Sequence, residues 1–157
     1  MKIYGADTGR FGTTRDGIER FWRNIFGGLA SARFHRPDSG QGLNAAAQRN
    51  IRSARAVLEA FDLFACKPRN AALHGREPNE AFCLAEPATQ YAVYFPRRGK
   101  VGLDVKAAPR TLTVRWYDID AGKWHAPKTE SFGGIRVLPL ATPGDGQWAV
   151  VVRGAGR

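Results

Sequence analysis

From residue 81 onward the apolar side chains fall into six short runs, at 81–85, 91–95, 101–105, 112–117, 135–140 and 148–152, with turn-forming segments such as RRGK, AGK and PGDG between them. Runs of this length are too short for helices that must bury a face, and their spacing predicts six to eight strands in an antiparallel β-sandwich. The clearest run, LTVRWYDIDAGKW at 112–124, alternates: Leu112, Val114 and Trp116 share one face, and Thr113, Arg115 and Tyr117 the other. One face of this strand is therefore dry. Asp118, Asp120, Ala121 and Gly122 supply turn chemistry, because Asp side chains bond nearby backbone and Gly accepts positive φ. Lys123 and Trp124 begin the return strand of a hairpin. A buried Trp removes a large apolar area from water, so Trp116 is expected at the centre of the core. Pro139 inside its run marks an edge strand or a bulge.

The first half has a different rhythm. Thr13 and Asp16 fit a helix-opening pattern, and Ile18, Phe21, Trp22, Ile25, Phe26 and Leu29 recur at steps of three and four. Gly27 and Gly28 end that helix. A second helix over 43–61 carries the stripe Leu43, Ala47, Ile51, Ala54, Leu58 and Phe61, with Arg49, Arg52, Arg55 and Glu59 facing away. A short extended segment at 2–4 precedes the first helix, and LASARFHRP after it is a short strand or an extension of that helix; read as a strand, it gives the strand, helix, strand, helix order of βα units. Two units cannot close a barrel, and apolar helix faces left uncovered would drive self-association. The stretch 65–79, ACKPRNAALHGREPN, has two prolines and no period. It reads as a linker between an incomplete α/β region, 1–64, and the sandwich, 80–157. A chain that opens in the last residues of a strand suggests that Met1 is an internal or truncated start.

Charge narrows the partners only a little. The formal net charge is +10, but the excess is spread, +6 over residues 1–78 and +4 over 79–157, with no basic block or tail. A nucleic-acid-binding reading therefore rests on net charge alone. No apolar run reaches the length of a membrane span, and the first residues lack a signal-peptide core, so the chain reads as soluble with its compartment open. Cys66 and Cys83 form no CxxC pair and no ligand cluster, which argues against zinc; two buried thiols or one disulfide both fit. His74 and His125 lie in loops without partners at ligand spacing. PGDG supplies too few oxygens for calcium, and GADTG and RFGTT lack the Lys-Ser/Thr pair of a P-loop, so neither a metal nor a cofactor is expected.

Three motifs carry a resemblance. CLAEPATQYAVYFPRRGKVGLDV, VRWYDIDAGKW and LPLATPGDGQWAVVV, in this order, resemble the C-terminal β-sandwich of apiosidase-like glycoside hydrolases, a domain also known as the collagen-binding domain of a collagenase. The resemblance covers about half of the chain and implies that the first half is the end of the (β/α)₈ barrel preceding this sandwich. The fold class is then α+β: a two-helix barrel remnant followed by an antiparallel β-sandwich. On that reading residues 2–4 end strand seven, 29–35 form strand eight and 43–61 the last barrel helix. The resemblance further implies hydrolysis of plant-type or microbial glycosides by a carboxylate pair on earlier barrel strands, upstream of Met1, leaving no catalytic residue to assign in this chain. Glycoside hydrolysis needs two carboxyl groups flanking the scissile bond. Asp7 alone lies just past the C-terminal end of a strand, where a barrel active site sits, and one acid is not a pair.

Arg33, His35 and Arg36 fall at the end of strand eight on the same side, suited to sugar hydroxyls or carboxylates, or simply to a solvated loop. Trp124 and Trp148 are either aromatic platforms for a sugar ring or core residues; Trp148 shares its face with Val150 and Val152, which favours the core. The candidate substrate-binding set is thus Asp7, Arg33, His35, Arg36 and Trp124. The expected role is an accessory domain that braces the barrel. The alternative is a non-catalytic module holding a polysaccharide or a fibrous protein such as collagen.

Overall fold

The computed structural model describes residues 3–4, 14–29, 34–35, 44–132 and 136–154. In chain order the elements are β1 (Ile3–Tyr4), α1 (Thr14–Phe26), β2 (Phe34–His35), α2 (Ala45–Leu58), β3 (Lys67–Pro68), a 3₁₀ turn (Asn70–Ala72) and β4 (Leu73–His74). The strands β5 (Phe82–Glu86), β6 (Gln90–Phe95), β7 (Lys100–Asp104), β8 (Thr111–Asp118) and β9 (Lys123–Trp124) follow, then β10 (Lys128–Ser131), β11 (Val137–Ala141) and β12 (Trp148–Gly154). Over the described residues the chain is α+β, with two α-helices, two antiparallel sheets and the two-stranded parallel pair β1–β2.

The central sheet runs β10-β8-β12-β6-β5-β3, with β9 paired to β8, and a second sheet runs β11-β7-β4. The two share one core. Val93 and Phe95 of β6, Leu112 and Val114 of β8 and Val150 and Val152 of β12 meet Val101, Leu103, Leu138 and Leu140 of the smaller sheet. The alternate residues of the same strands serve a second core. Leu84, Ala92, Tyr94, Tyr117, Ala149 and Val151 point to the opposite face, where Trp22, Phe26, Ala54, Val57 and Phe61 cover them. The central sheet is thus apolar on both sides, and the molecule stacks as helices, large sheet, small sheet. Pro139 sits exposed in β11, the outer strand of the small sheet, where its missing N–H costs no pairing.

Helix α1 ends as its glycines dictate. Gly28 adopts φ +72°, its amide bonds the Ile25 carbonyl and the Leu29 amide reaches back to Asn24, closing the helix in a Schellman turn. Within α1, Glu19 is buried between Arg15 and Arg23, one turn to either side at 3.1 and 2.5 Å. Helix α2 opens on Asn44, whose side-chain oxygen accepts the Ala47 amide at 2.8 Å. Its buried face consists of Ala47, Asn50, Ser53, Ala54 and Val57. The expected stripe was placed differently: Ile51 is exposed and Leu58 only half-buried. Two polar residues turn the helix. Asn50 accepts the Trp22 indole N–H at 2.9 Å, and the Ser53 hydroxyl donates to the Ile119 carbonyl at 3.2 Å. A reading by hydrophobicity alone assigns Asn and Ser to solvent, whereas here they satisfy buried partners.

The expected centre also shifts. Trp116 is only partly buried, at the margin of the sheet-to-sheet core, where its ring meets those of Phe95 and Trp148. The fully buried tryptophan is Trp22, stacked on Tyr94 with centroids 5.6 Å apart and planes 19° apart. The Tyr94 hydroxyl donates to the Gln147 side chain at 2.7 Å, and burial pushes its pKa well up, so it stays neutral. The helix faces expected to drive self-association are covered by the central sheet. Among the described residues the large exposed apolar side chains are scattered singly: Leu29, Ile51 and Phe64. Phe64 is almost wholly exposed, 98%, in a turn held by Asp62, whose carboxylate accepts the amides of Phe64 and Ala65.

The stretch 65–79 supplies β3 to an edge of the central sheet and β4 to an edge of the small one. Cys66 and Cys83 are free and buried. Among the described residues no helix is long and apolar enough to cross a membrane.

Candidate functional site

The hairpin expected at 112–124 forms, with Tyr117 opposite Trp124 and Asp118 opposite Lys123. Its turn uses the chemistry its residues carry. The Asp118 carboxylate accepts the Ala121 amide at 2.8 Å, and Gly122 takes φ +67°. Asp120 reaches outward and accepts the Gln147 amide at 2.9 Å, which ties the hairpin to the PGDG loop before β12. Gly146 follows from that tie: it adopts φ +94°, and a Cβ there would lie 2.6 Å from the Asp120 carboxylate. The same loop supplies the Gly144 and Asp145 carbonyls to the indole N–H of Trp148, at 3.1 and 3.0 Å. Trp148 is buried, in the core, as its alternation with Val150 and Val152 implied.

Trp124 is half-buried at the open end of the helix-side face of the central sheet. Tyr117 meets its ring edge-on at 4.9 Å, and the Arg115 guanidinium lies over it, 4.6 Å from the centroid. Beyond the end of α2, Trp124 and Arg115 line an open cavity of about 480 Å³ with Thr113 and Val151, and with Arg153, whose guanidinium bonds the Ala60 carbonyl at 3.3 Å. A neighbouring cavity of about 430 Å³ runs between α2 and the hairpin turn, lined by Arg49, Arg52, Ser53, Tyr117 and Asp120. The packed rings of Tyr117 and Trp124 lie between the two. The first cavity brings together Arg115 and Arg153, strand residues that no sequence motif connects. The signal that locates it is the outward parity of Arg115 on β8, but its meeting with Arg153 depends on the register Arg115 to Val151 and Thr113 to Arg153, which the sequence does not display.

Of the expected site residues, Trp124 is therefore placed in a cavity. Asp7, Arg33 and Arg36 lie outside the described residues. His35 closes β2, which pairs in parallel with β1 as Tyr4 to His35, and its side chain lies outside the description. His125 packs against the Trp148 ring at 5.1 Å, and His74 approaches the Asp104 carboxylate at 3.9 Å. Asp104 is held below the usual carboxylate range chiefly by the Lys106 amide. Among the described residues no group of three His, Cys, Asp or Glu side chains could hold a metal.

No protein-family model matches this chain, and no curated protein does. Solved structures do match. A glycoside hydrolase family 5 protein from Bacteroides vulgatus ATCC 8482 superposes with a TM-score of 0.68 at 12% identity, over 94% of this chain and 37% of its own. A second structure, described as a glycoside hydrolase, gives a TM-score of 0.70 at 12% identity, over 90% of this chain and 37% of its own. The fold is glycoside-hydrolase-like. The chain spans little more than a third of the length of either structure, and at 12% identity the likeness concerns fold.

Proposed function

We propose that this chain is the C-terminal portion of a glycoside-hydrolase-like protein, in which the stacked sheets are an accessory domain that braces the end of a barrel. The observation that carries the reading is the order of the first half. Parallel strands need a crossover, and α1 lies between the parallel pair β1 and β2, with α2 after it. That is a βα repeat at the end of an α/β region, and both helices dock on the outer face of the central sheet. The similarity to part of two glycoside hydrolases supports a glycoside-hydrolase-like origin. On this reading 1–64 is the barrel end and 80–157 the accessory domain. The sequence motifs favour the apiosidase-like branch. Its catalytic carboxylate pair then belongs to barrel strands outside this chain, and Asp7, Arg33, His35 and Arg36 would flank the substrate from the last two strands.

Two measurements test this. The purified chain is expected to show no turnover of a panel of aryl glycosides above buffer. Turnover that disappears in Asp7→Asn would show that the chain assembles its own site and overturn the accessory role. A fragment comprising residues 65–157 is expected to be poorly soluble, because the face formed by Leu84, Tyr94, Tyr117 and Val151 loses its cover. A soluble, fully stable fragment would show that the sheets are independent of the helices and would favour the binding-module alternative, whether for a polysaccharide or for collagen.

A further inference from the structure

We propose that the cavity on the helix-side face of β8 and β12, beyond the end of α2, is a binding site for an acidic polysaccharide, with Arg115 and Arg153 as the carboxylate-recognising pair. The proposal rests on the carbohydrate-associated reading above and deepens it by naming the substrate class. Four observations carry it. Arg115 and Arg153 are exposed, line the same cavity, and form no ion pair among the described residues; their hydrogen bonds go to the His125 carbonyl at 3.5 Å and the Ala60 carbonyl at 3.3 Å. Two uncompensated guanidinium groups in one concavity select an anion, and Arg presents a planar fork that matches a carboxylate.

The second observation is the stacking of Arg115 on Trp124. Packing over the ring and the Nε–H bond to the His125 carbonyl restrict the guanidinium while leaving its terminal N–H groups available, so less entropy is lost when a carboxylate is bound. It also changes the role expected for Trp124. With Arg115 over the ring, the indole positions a charge and does not serve as the open platform for a sugar ring. Third, Thr113 places a hydroxyl in the same cavity, a partner for a sugar hydroxyl. Fourth, a second basic cavity lies on the other side of the Tyr117–Trp124 ring pair. Arg49, Arg52, Ser53 and Ala56 of α2 line it, and Asp120 is its one acidic lining residue. A chain of uronic acid units repeats its carboxylates, so one polymer can present an anion to each cavity. Single-stranded nucleic acid, by contrast, gains most from open aromatic faces on which bases stack, and the tryptophan face in this groove is already covered.

The test uses the whole chain and polygalacturonate as probe, with neutral galactan and a single-stranded oligodeoxynucleotide as comparators. In affinity electrophoresis the chain is expected to be retarded by polygalacturonate and not by galactan. Arg115→Gln and Arg153→Gln are each expected to weaken retardation about tenfold. Trp124→Ala is expected to weaken it less, by freeing Arg115. Arg97→Gln, exposed and outside the groove, is the control and is expected to behave as the parent. All four positions are partly or fully exposed, and unchanged melting curves would exclude misfolding. Absence of retardation, equal retardation by galactan, unchanged retardation of both arginine variants, or tighter and more salt-sensitive binding of the oligonucleotide would each overturn the uronate site. Those failures leave the accessory role standing, whereas a stable 65–157 fragment removes that role whatever the groove binds.

Discussion

Trp22 and Trp116 occupy opposite positions in the energy balance of this protein. Trp22 is fully buried, stacked on Tyr94 and hydrogen-bonded to Asn50, so Trp22→Ala removes packing and orphans a buried amide oxygen. The expected loss is about 3–5 kcal/mol, read as a lower urea midpoint. Trp116→Ala, at a core margin, is expected to cost clearly less; an equal loss would restore Trp116 to the centre. The thiols offer a second comparison at the residue scale. Desolvation pushes Cys66 up to about 11 and Cys83 up to about 12, from 9.0 in an open chain. Between those values the unfolded chain has released protons that the folded chain retains, so stability should fall as the pH rises from 9 toward 12. Replacing both cysteines by alanine should flatten that decline. Ellman's reagent should find two thiols in denaturant and react slowly with the native chain; no thiols in denaturant would mean a disulfide.

The apolar strands, the hairpin turn and the end of α1 were legible in the sequence because their causes are local, whereas β3 and β4 fall in a stretch read as a linker and the polar β10 has no apolar run to mark it. Alternation locates β8, glycines stop α1, and Asp118 with Gly122 makes the hairpin turn. Gly28→Ala tests this directly. With φ +72° and a new Cβ 3.0 Å from the Pro68 ring, the substitution is expected to cost about 1–2 kcal/mol in thermal unfolding, whereas Leu29→Ala, exposed beyond the cap, should cost little. What the sequence left hidden were long-range causes. Asn50 and Ser53 turn α2 by bonding to residues distant in the chain, and they override the apolar stripe. The second core had a signal that alternation obscures. YAVYF and WAVVV are apolar at consecutive positions, and every residue of β6 is buried, as befits a strand with protein on both faces. The arginine groove depends on strand register and on where α2 ends, and neither is written in a short motif.

At the scale of the whole molecule the two halves share apolar surface and should behave as one. Native-state hydrogen exchange is expected to find the amides of α2 protected to the same degree as those of β6 and β12, with a single cooperative unfolding transition. Early exchange of α1 and α2, with the strands still protected, would mean that the helices are an appendage. The seam between the halves carries its own consequence through Phe64. Chymotrypsin cleaves after large aromatic residues in accessible chain, and Phe64 offers its ring to solvent at the one place where the helical and strand portions are joined by a short turn. A nick there severs the backbone and leaves the Trp22–Tyr94 stack untouched. The cleaved protein should elute as a single species at the parent's volume and come apart only in denaturant, so that the chain becomes a pair of complementing fragments.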